Sequence, residues 1–435
     1  MAELGDICKR CKKEVTTVTS RKDTFCENCF IRFIRGKQRK QMQDDKFKVK
    51  FKVKPDHTKL RVLLDFENNE ESYVLLDSVI SMLMEQSNQG PKAVLGFELI
   101  VSVINDSPDF QFDLAKLKNF YGIEELQKLG VSFIEIDCNS FVTDNKFEQL
   151  SLDIKKFQTL KIKDDIEDTN IKSYSELLHQ AKDTTTREDL SIIVHEDITI
   201  KTAVDNKCSI ILKSDSMTRM AVTILSDTIR GRGAEIPRHC DNKYIGTFEM
   251  MHPLSDILNS EIKTYIKILG IDKLSPILSV ENVNSNLSTK SKTVNDMISE
   301  YFQTLEIEYP ETVSTVVKIG GKLSNNDENI ANLHRCEICK FPIYHDPKQW
   351  LEQITVLDHV PPQNEEEKAN YQRYLESINN DKEIESSNQT VDDTSVNLCY
   401  GCMVTLGVSE VNNLQWPQRP TREEILSEYI LDDDE

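Results

Sequence analysis

Eight of the chain's 11 cysteines fall into four CxxC pairs, and nothing else in the sequence constrains the fold as much. The pairs are Cys8/Cys11, Cys26/Cys29, Cys336/Cys339 and Cys399/Cys402. Two residues between thiolates let both sulfurs of a tight knuckle reach one ion at about 2.3 Å, and two knuckles complete a tetrahedron. The opening MAELGDICKRCKKEV lacks the apolar core of a secretory leader, so the expected compartment is reducing and cytoplasmic. There, metal binding prevails over disulfides.

CKRC and CENC are 14 residues apart, the spacing of a zinc ribbon or treble-clef-like knuckle. CEIC and CYGC are 59 residues apart and close on one ion only if a long insert loops out. The stretch 361–397 is polar, acidic and poor in apolar residues, which predicts an unstructured loop whose length costs little closure entropy. Four thiolates close the coordination shell to water, so two structural zinc sites are expected rather than catalytic ones. A RING-type ligase would need two interleaved sites in one short segment, and each end supplies four ligands. His334, His345 and His359 lie near the second set as spare ligands. Cys138, Cys208 and Cys240 read as small buried hydrophobes.

Charge is distributed unevenly. The net charge is −20, yet residues 1–60 hold 17 Lys/Arg against 8 Asp/Glu. A basic head on an acidic body points to a local anionic contact, nucleic acid first, with a merely solvated basic segment as the plain alternative. No run approaches the roughly 20 apolar residues of a membrane helix.

The middle of the chain alternates between strand and helix. RVLLDF (61–66), AVLGFELIVSVI (93–104), VSFIEI (131–136) and CSIILK (208–213) read as strands. Helices are expected at 72–86, 172–182, 186–205, 217–229 and 253–269, the last opened by Pro253. This alternation predicts an α/β fold with a parallel sheet covered on both faces. Chemistry in such a sheet belongs to the turns beyond the carboxyl ends of its strands, after residues 66 and 213. The first turn is Glu67-Asn68-Asn69-Glu70-Glu71-Ser72, with three carboxylates and no glycine. A phosphate cradle needs closely approaching backbone amides and a field that welcomes anions, so this turn discourages nucleotides. The second, Lys213 to Met217, offers no His or paired acid. Arg230 and Arg232 in IRGRG fit a phosphate contact or, equally, a helix end favoured by the macrodipole.

The order and spacing of several blocks resemble one family. ENCFIRFIRGKQRKQM after the first knuckle, IRGRG, HPLSDILNSEI (252–262), EYPETVSTVVKIGGKL (308–323), CEICKFP and LCYGCMVTL are similar to the second subunits of the cytosolic tRNA 2-thiolation complex. The resemblance implies an adenine-nucleotide alpha-hydrolase-like (PP-loop-like) fold. Catalytic relatives carry an SGGxxS loop, adenylate the target uridine with ATP and replace its oxygen with sulfur. That loop maps onto Glu67 to Ser72, where only Ser72 survives, and a later His/Asp segment maps onto Asp215 to Arg219, where it is lost.

The resemblance therefore implies a degenerate, non-catalytic partner of a catalytic thiolase in a heterodimer, with no ATP on this chain. Its substrate would be the wobble uridine of tRNAs for Lys, Gln and Glu. Sulfur would come from a thiocarboxylated ubiquitin-related modifier, with a side role in conjugating that modifier to proteins. RNA contact is expected on Lys9, Arg10, Lys12, Lys13, Arg32, Arg35, Lys37, Arg39 and Lys40, and no membrane is involved. The alternatives are an active sulfurtransferase with an atypical nucleotide site and a zinc-clipped interaction scaffold.

The expected partition is a knuckle with its basic segment (1–45), the α/β domain (46–278), a polar linker (279–293) and a C-terminal helical segment with the split zinc site (294–435). Residues 139–170 alternate too irregularly for assignment, and the tail 431–435 reads as frayed.

Overall fold

Alternation along the central strands sends side chains into two cores. Val62, Leu64 and Phe66 join one buried cluster and Leu63 the other; Leu99 and Val101 join the first and Ile100 the second. Strands buried on both faces need continuous apolar sequence, which is why LRVLLDF and FELIVSVIN carry so few polar residues. The structure, a computed structural model, describes residues 5–51, 59–106, 112–153, 158–162, 171–240, 244–245, 248–275, 278, 291–323, 333–347, 350–351, 364–373 and 396–418.

The chain opens with a hairpin, β1 (Val18–Ser20) and β2 (Asp23–Phe25), then α1 (Glu27–Gln41). There follow β3 (Leu60–Phe66), α2 (Glu70–Ser87), β4 (Phe97–Asn105), α3 (Leu114–Tyr121), α4 (Ile123–Lys128), β5 (Val131–Asp137) and α5 (Asn139–Thr143). Next come β6 (Phe147–Asp153), β7 (Gln158–Ile162), α6 (Tyr174–His179), α7 (Thr184–Asp205), β8 (Ile210–Leu212) and α8 (Met217–Ile229). After α9 (Ile236–Cys240), β9 (Tyr244–Ile245) and β10 (Phe248–Met251) lie α10 (Asn259–Leu269), α11 (Val294–Glu308) and α12 (Pro310–Gly320). A helix at Tyr400–Val408 and β11 (Asn413–Pro417) follow.

Two compact units result. The first holds Met1–Asp144, Ser173–Leu178 and Asp183–Asn326; the second holds Asn145–Lys172, His179–Lys182 and Asp327–Glu435. These bounds cut across the partition read from the sequence. In the first unit six strands run in the order β5-β4-β3-β8-β10-β9, all neighbours parallel except β9 against β10. The strand order reverses between β3 and β8, and the crevice at that switch point is where a doubly wound sheet binds ligands. The expected α/β class with a parallel sheet is the architecture found. Phe25, Phe30 and Ile34 of the N-terminal knuckle and α1 belong to the same buried cluster as the sheet, so the knuckle is packed on its core.

In the second unit β6 lies between β7 and β11, both antiparallel to it, with Leu150, Leu152, Leu414 and Trp416 buried. The Gln180 side chain pairs with β11 like a further strand residue, accepting from Gln415 N at 2.7 Å and donating to its carbonyl at 3.0 Å.

Several expectations shift. The helix expected from Pro253 begins at Asn259, because Leu254 and Ile257 are fully buried in a turn and Met217 N takes the Ile257 carbonyl at 2.8 Å. The strand expected from residue 93 begins at Phe97, after Gly96. A Cβ on Gly96 would stand 2.4 Å from the Phe47 carbonyl oxygen. The segment 139–170 contains β6 and β7. Within the expected loop 361–397, residues 365–373 are helical, begun by Asn364, whose side chain accepts from Glu367 N at 2.7 Å. Most of the 361–397 loop and of the 279–293 linker, and all of the 431–435 tail, lie outside the described residues. No described helix is long and apolar enough to cross a membrane.

Candidate metal centres and the crevice at the strand ends

Both cysteine quartets assemble, and the same local device builds each. In the first, Lys12 follows Cys11 with φ of 54° and donates its amide to the Cys8 carbonyl at 2.8 Å. In the second, Lys340 follows Cys339 with φ of 58° and donates to the Cys336 carbonyl at 2.9 Å. These left-handed residues fold the opening pair into a knuckle. The closing pair in each case opens a helix: Cys26 caps α1, and Cys399 caps Tyr400–Val408 with its sulfur accepting from Cys402 N at 3.4 Å.

Within each quartet all four sulfurs lie within 4.8 Å of one another. Cys11 to Cys26 is 3.7 Å and Cys339 to Cys399 is 3.6 Å. Four sulfurs at about 2.3 Å from a central ion are about 3.8 Å apart, so the geometry admits a tetrahedral metal. Backbone amides, that of Cys11 foremost, bring the Cys8 thiol down to about 6, towards the thiolate a metal requires. Burial pushes Cys26 the other way. His334 and His345 stay outside the second quartet, and His359 lies outside the described residues.

The crevice between β3 and β8 is filled from within. Ser72 Oγ accepts from Glu67 N at 3.1 Å, and Asn69 Oδ1 accepts from Ser72 N at 2.8 Å. Two backbone donors of this turn, the amides of Glu67 and Ser72, are thus already used. Asn68 takes a φ of 52° and its side chain accepts from Tyr73 Oη at 2.9 Å. Ser72 Oγ meets Ser214 Oγ at 2.9 Å, and Ser216 Oγ donates to Glu71 at 3.2 Å. Arg219 pairs with Glu67 and, at 3.3 Å, with Asp215; Lys213 pairs with Asp65. Glu70 and Glu71 are raised, chiefly by burial.

One participant escaped the sequence reading, which found no His for this site. His252, one residue past β10, places Nδ1 3.0 Å from Asp215 Oδ2. Burial pushes Asp215 up, but the His252 hydrogen bond and the charges of His252, Arg219 and Lys213 outweigh it and hold the carboxyl well below its usual range. The available signal was position: His252 directly follows the strand run FEMM, at the carboxyl edge of the sheet.

The basic head divides in two. Lys9, Arg10, Lys12, Lys13, Arg32 and Lys40 are exposed, with Arg10 lying over the Phe25 and Phe33 rings. Arg35, Lys37 and Arg39 are engaged in ion pairs with Asp77, Glu261 and Glu85. Arg232 is buried and Arg230 largely so, and both are engaged in ion pairs. Arg230 pairs with Asp189 and Asp227, and Arg232 with Glu235.

Comparison with known proteins gives a consistent picture. A family model described as cytoplasmic tRNA 2-thiolation protein 2 matches residues 293–404. Proteins of that name from Scheffersomyces stipitis and Debaryomyces hansenii are 35% and 34% identical to the chain. The first alignment covers 100% of the chain and 98% of the relative, the second 98% and 96%. One from Saccharomyces cerevisiae is 27% identical over 95% of the chain and 94% of its own length. Among solved structures, the U34-tRNA thiolase NcsA from Methanococcus maripaludis with its [4Fe-4S] cluster superposes with a TM-score of 0.49. It is 14% identical, and the match covers 82% of this chain and 99% of that one.

Proposed function

The chain belongs to the cytoplasmic tRNA 2-thiolation protein 2 family, and from that premise we propose that it is a non-catalytic, tRNA-positioning subunit of a cytoplasmic thiolation complex. Its substrate is the wobble uridine of tRNAs for Lys, Gln and Glu. Its partner is a catalytic thiolase with which it forms a heterodimer, and a thiocarboxylated ubiquitin-related modifier supplies the sulfur. A side role in conjugating that modifier to proteins fits the same complex.

One observation carries the non-catalytic half. The amides of Glu67 and Ser72 are capped by side chains, and carboxylates line the turn, so the crevice withdraws two donors from a triphosphate and meets it with an unfavourable field. Zinc suits both quartets. Cys8, Cys11, Cys26 and Cys29 would hold one ion and Cys336, Cys339, Cys399 and Cys402 the other, each shell closed to solvent and therefore structural. The exposed part of the basic head, Lys9, Arg10, Lys12, Lys13, Arg32 and Lys40, is the surface proposed for tRNA phosphates.

The test is the sulfur content of tRNA in cells lacking the chain, read as retarded migration on a mercury-containing gel. Cells are rescued in parallel by the natural protein and by a variant with Glu67, Glu70 and Glu71 changed to Ala. Thiolation should disappear without the chain and return with both proteins. Persistence of thiolation without the chain would sink the proposal in favour of a scaffold role. ATP-dependent adenylation of tRNA by the purified chain alone would make it an active sulfurtransferase instead.

A further inference from the structure

Three donors outside the two quartets and the Arg219 network converge at the carboxyl ends of neighbouring strands. Asp106 directly follows β4, Cys138 directly follows β5, and His195 lies in α7. His195 Nε2 is 2.8 Å from Asp106 Oδ1 and 3.7 Å from Cys138 Sγ, and the sulfur is 3.9 Å from Asp106 Oδ1. The backbone fixes them: Cys138 N donates to the Asn105 carbonyl at 3.1 Å, locking the two strand ends together. We propose that Asp106, Cys138 and His195 form a third metal site, of three ligands, for a borderline-soft divalent cation of the zinc class.

Geometry supports a shared ion over three separate contacts. Around a tetrahedral zinc with Zn–S of about 2.3 Å and Zn–N or Zn–O of about 2.0–2.1 Å, the ligand atoms stand roughly 3.3–3.6 Å apart. The two sulfur separations, 3.7 and 3.9 Å, lie close to those values, while Nε2 to Oδ1 at 2.8 Å is a hydrogen-bond distance that lengthens to about 3.3 Å when an ion takes the place of the shared proton. Chemistry narrows the ion. One sulfur, one imidazole and one carboxylate suit zinc or cobalt, whereas magnesium and calcium take oxygen ligands. Unlike the two quartets, this set supplies three ligands and leaves one position for water or a small anionic ligand.

A metal-free reading, in which His195 activates Cys138 as a nucleophile, fits less well. Such a cysteine sits in electropositive surroundings. Cys138 is fully buried, and its sulfur faces the Asp106 carboxylate at 3.9 Å. A cation supplies the positive charge this cluster lacks.

Metal content separates these readings. The full chain is equilibrated with buffered free zinc, alongside Asp106→Asn, His195→Ala and Cys138→Ala, and zinc per chain is counted by elemental analysis. Each variant should hold one ion fewer than the natural protein. Because a difference is read, the result is independent of how far the two cysteine quartets are filled. Asp106 is exposed and its change is nearly isosteric, so Asp106→Asn keeps the test alive if Cys138→Ala fails to fold; circular dichroism checks each variant. With cobalt in place of zinc, Cys138→Ala should remove one sulfur-to-cobalt charge-transfer contribution and leave those of the quartets. Equal metal content in the natural protein and a folded Asp106→Asn variant overturns the site.

Discussion

Lys12 and Lys340 occupy a backbone region that β-carbons disfavour, and each does so one residue past a cysteine. A knuckle needs that reversal to aim two sulfurs at one point. The spacing of the pairs announced the quartets because a two-residue gap has few other uses. The crevice was only half legible. Its carboxylates stand together in the sequence, but Arg219 reaches Glu67, and His252 reaches Asp215, from elements that only the strand order brings together. Two predictions belong at this scale. Cys26→Ser, which removes one thiolate from a closed shell, should release one zinc ion per chain and lower the melting temperature, because metal binding to such a site is folding free energy. An unchanged metal count would count against the N-terminal site. Arg219→Met strands Glu67 and Asp215 without their shared cation. Since Arg219 is about a third exposed, solvent tempers the loss to roughly 1–3 kcal/mol by denaturant titration. On the function proposed above the variant should bind no ATP, since Ser72 and Asn69 continue to occupy the amides of Glu67 and Ser72.

Elements meet at Glu261, where the first turn of α10 gathers the knuckle hairpin and α1. The carboxylate is buried, accepts from Ser20 Oγ at 2.5 Å and Leu258 N at 3.0 Å, and pairs with Lys37 at 3.0 Å and Arg21 at 3.2 Å. No local pattern predicts this, because Ser20, Arg21 and Lys37 are more than 220 residues away from Glu261. The same distance hid the second unit's sheet, in which β6 pairs with β11 at the far end of the chain and so gives 139–170 no periodicity of its own. Lys37, read from the sequence as an RNA contact, is part of this joint. Burial works to raise Glu261, but Lys37, Ser20, the Leu258 amide and Arg21 overcome it and hold its carboxyl below the ordinary value. A depressed carboxylate stabilises the fold above its unfolded value of about 4.3, and that stability drains away as pH falls through the folded value. Glu261→Gln should therefore cost about 3 kcal/mol at neutral pH, and the gap to the natural protein should narrow below about pH 4. A gap that stays constant through the acid range would show that the carboxylate's charge is not what joins these elements.

At the scale of the whole molecule, charge separates by region: the head is basic while the chain as a whole carries −20. Composition made that asymmetry plain, but not which cations are available. The structure commits Arg35, Lys37 and Arg39 to ion pairs, whereas Lys9, Lys12, Lys13, Arg32 and Lys40 remain exposed. An acidic body repels a polyanion, so on the proposed function that exposed group is where this chain would meet tRNA. Each phosphate contact releases condensed counterions, and the logarithm of affinity falls with the logarithm of salt by about 0.7–0.9 per contact. Changing Lys9, Lys12, Lys13, Arg32 and Lys40 together to Glu, in the complex with the thiolase, should weaken tRNA binding and flatten the salt dependence by several such increments. Fold and metal content should stay intact, because none of the five belongs to an ion pair described above. Changing Arg35 and Lys37 instead should impair folding before it touches RNA, since Asp77 and Glu261 would lose their partners. Should the fivefold variant keep both its tRNA affinity and its salt slope, the basic head is only a solvated surface, and the RNA must be held by the partner.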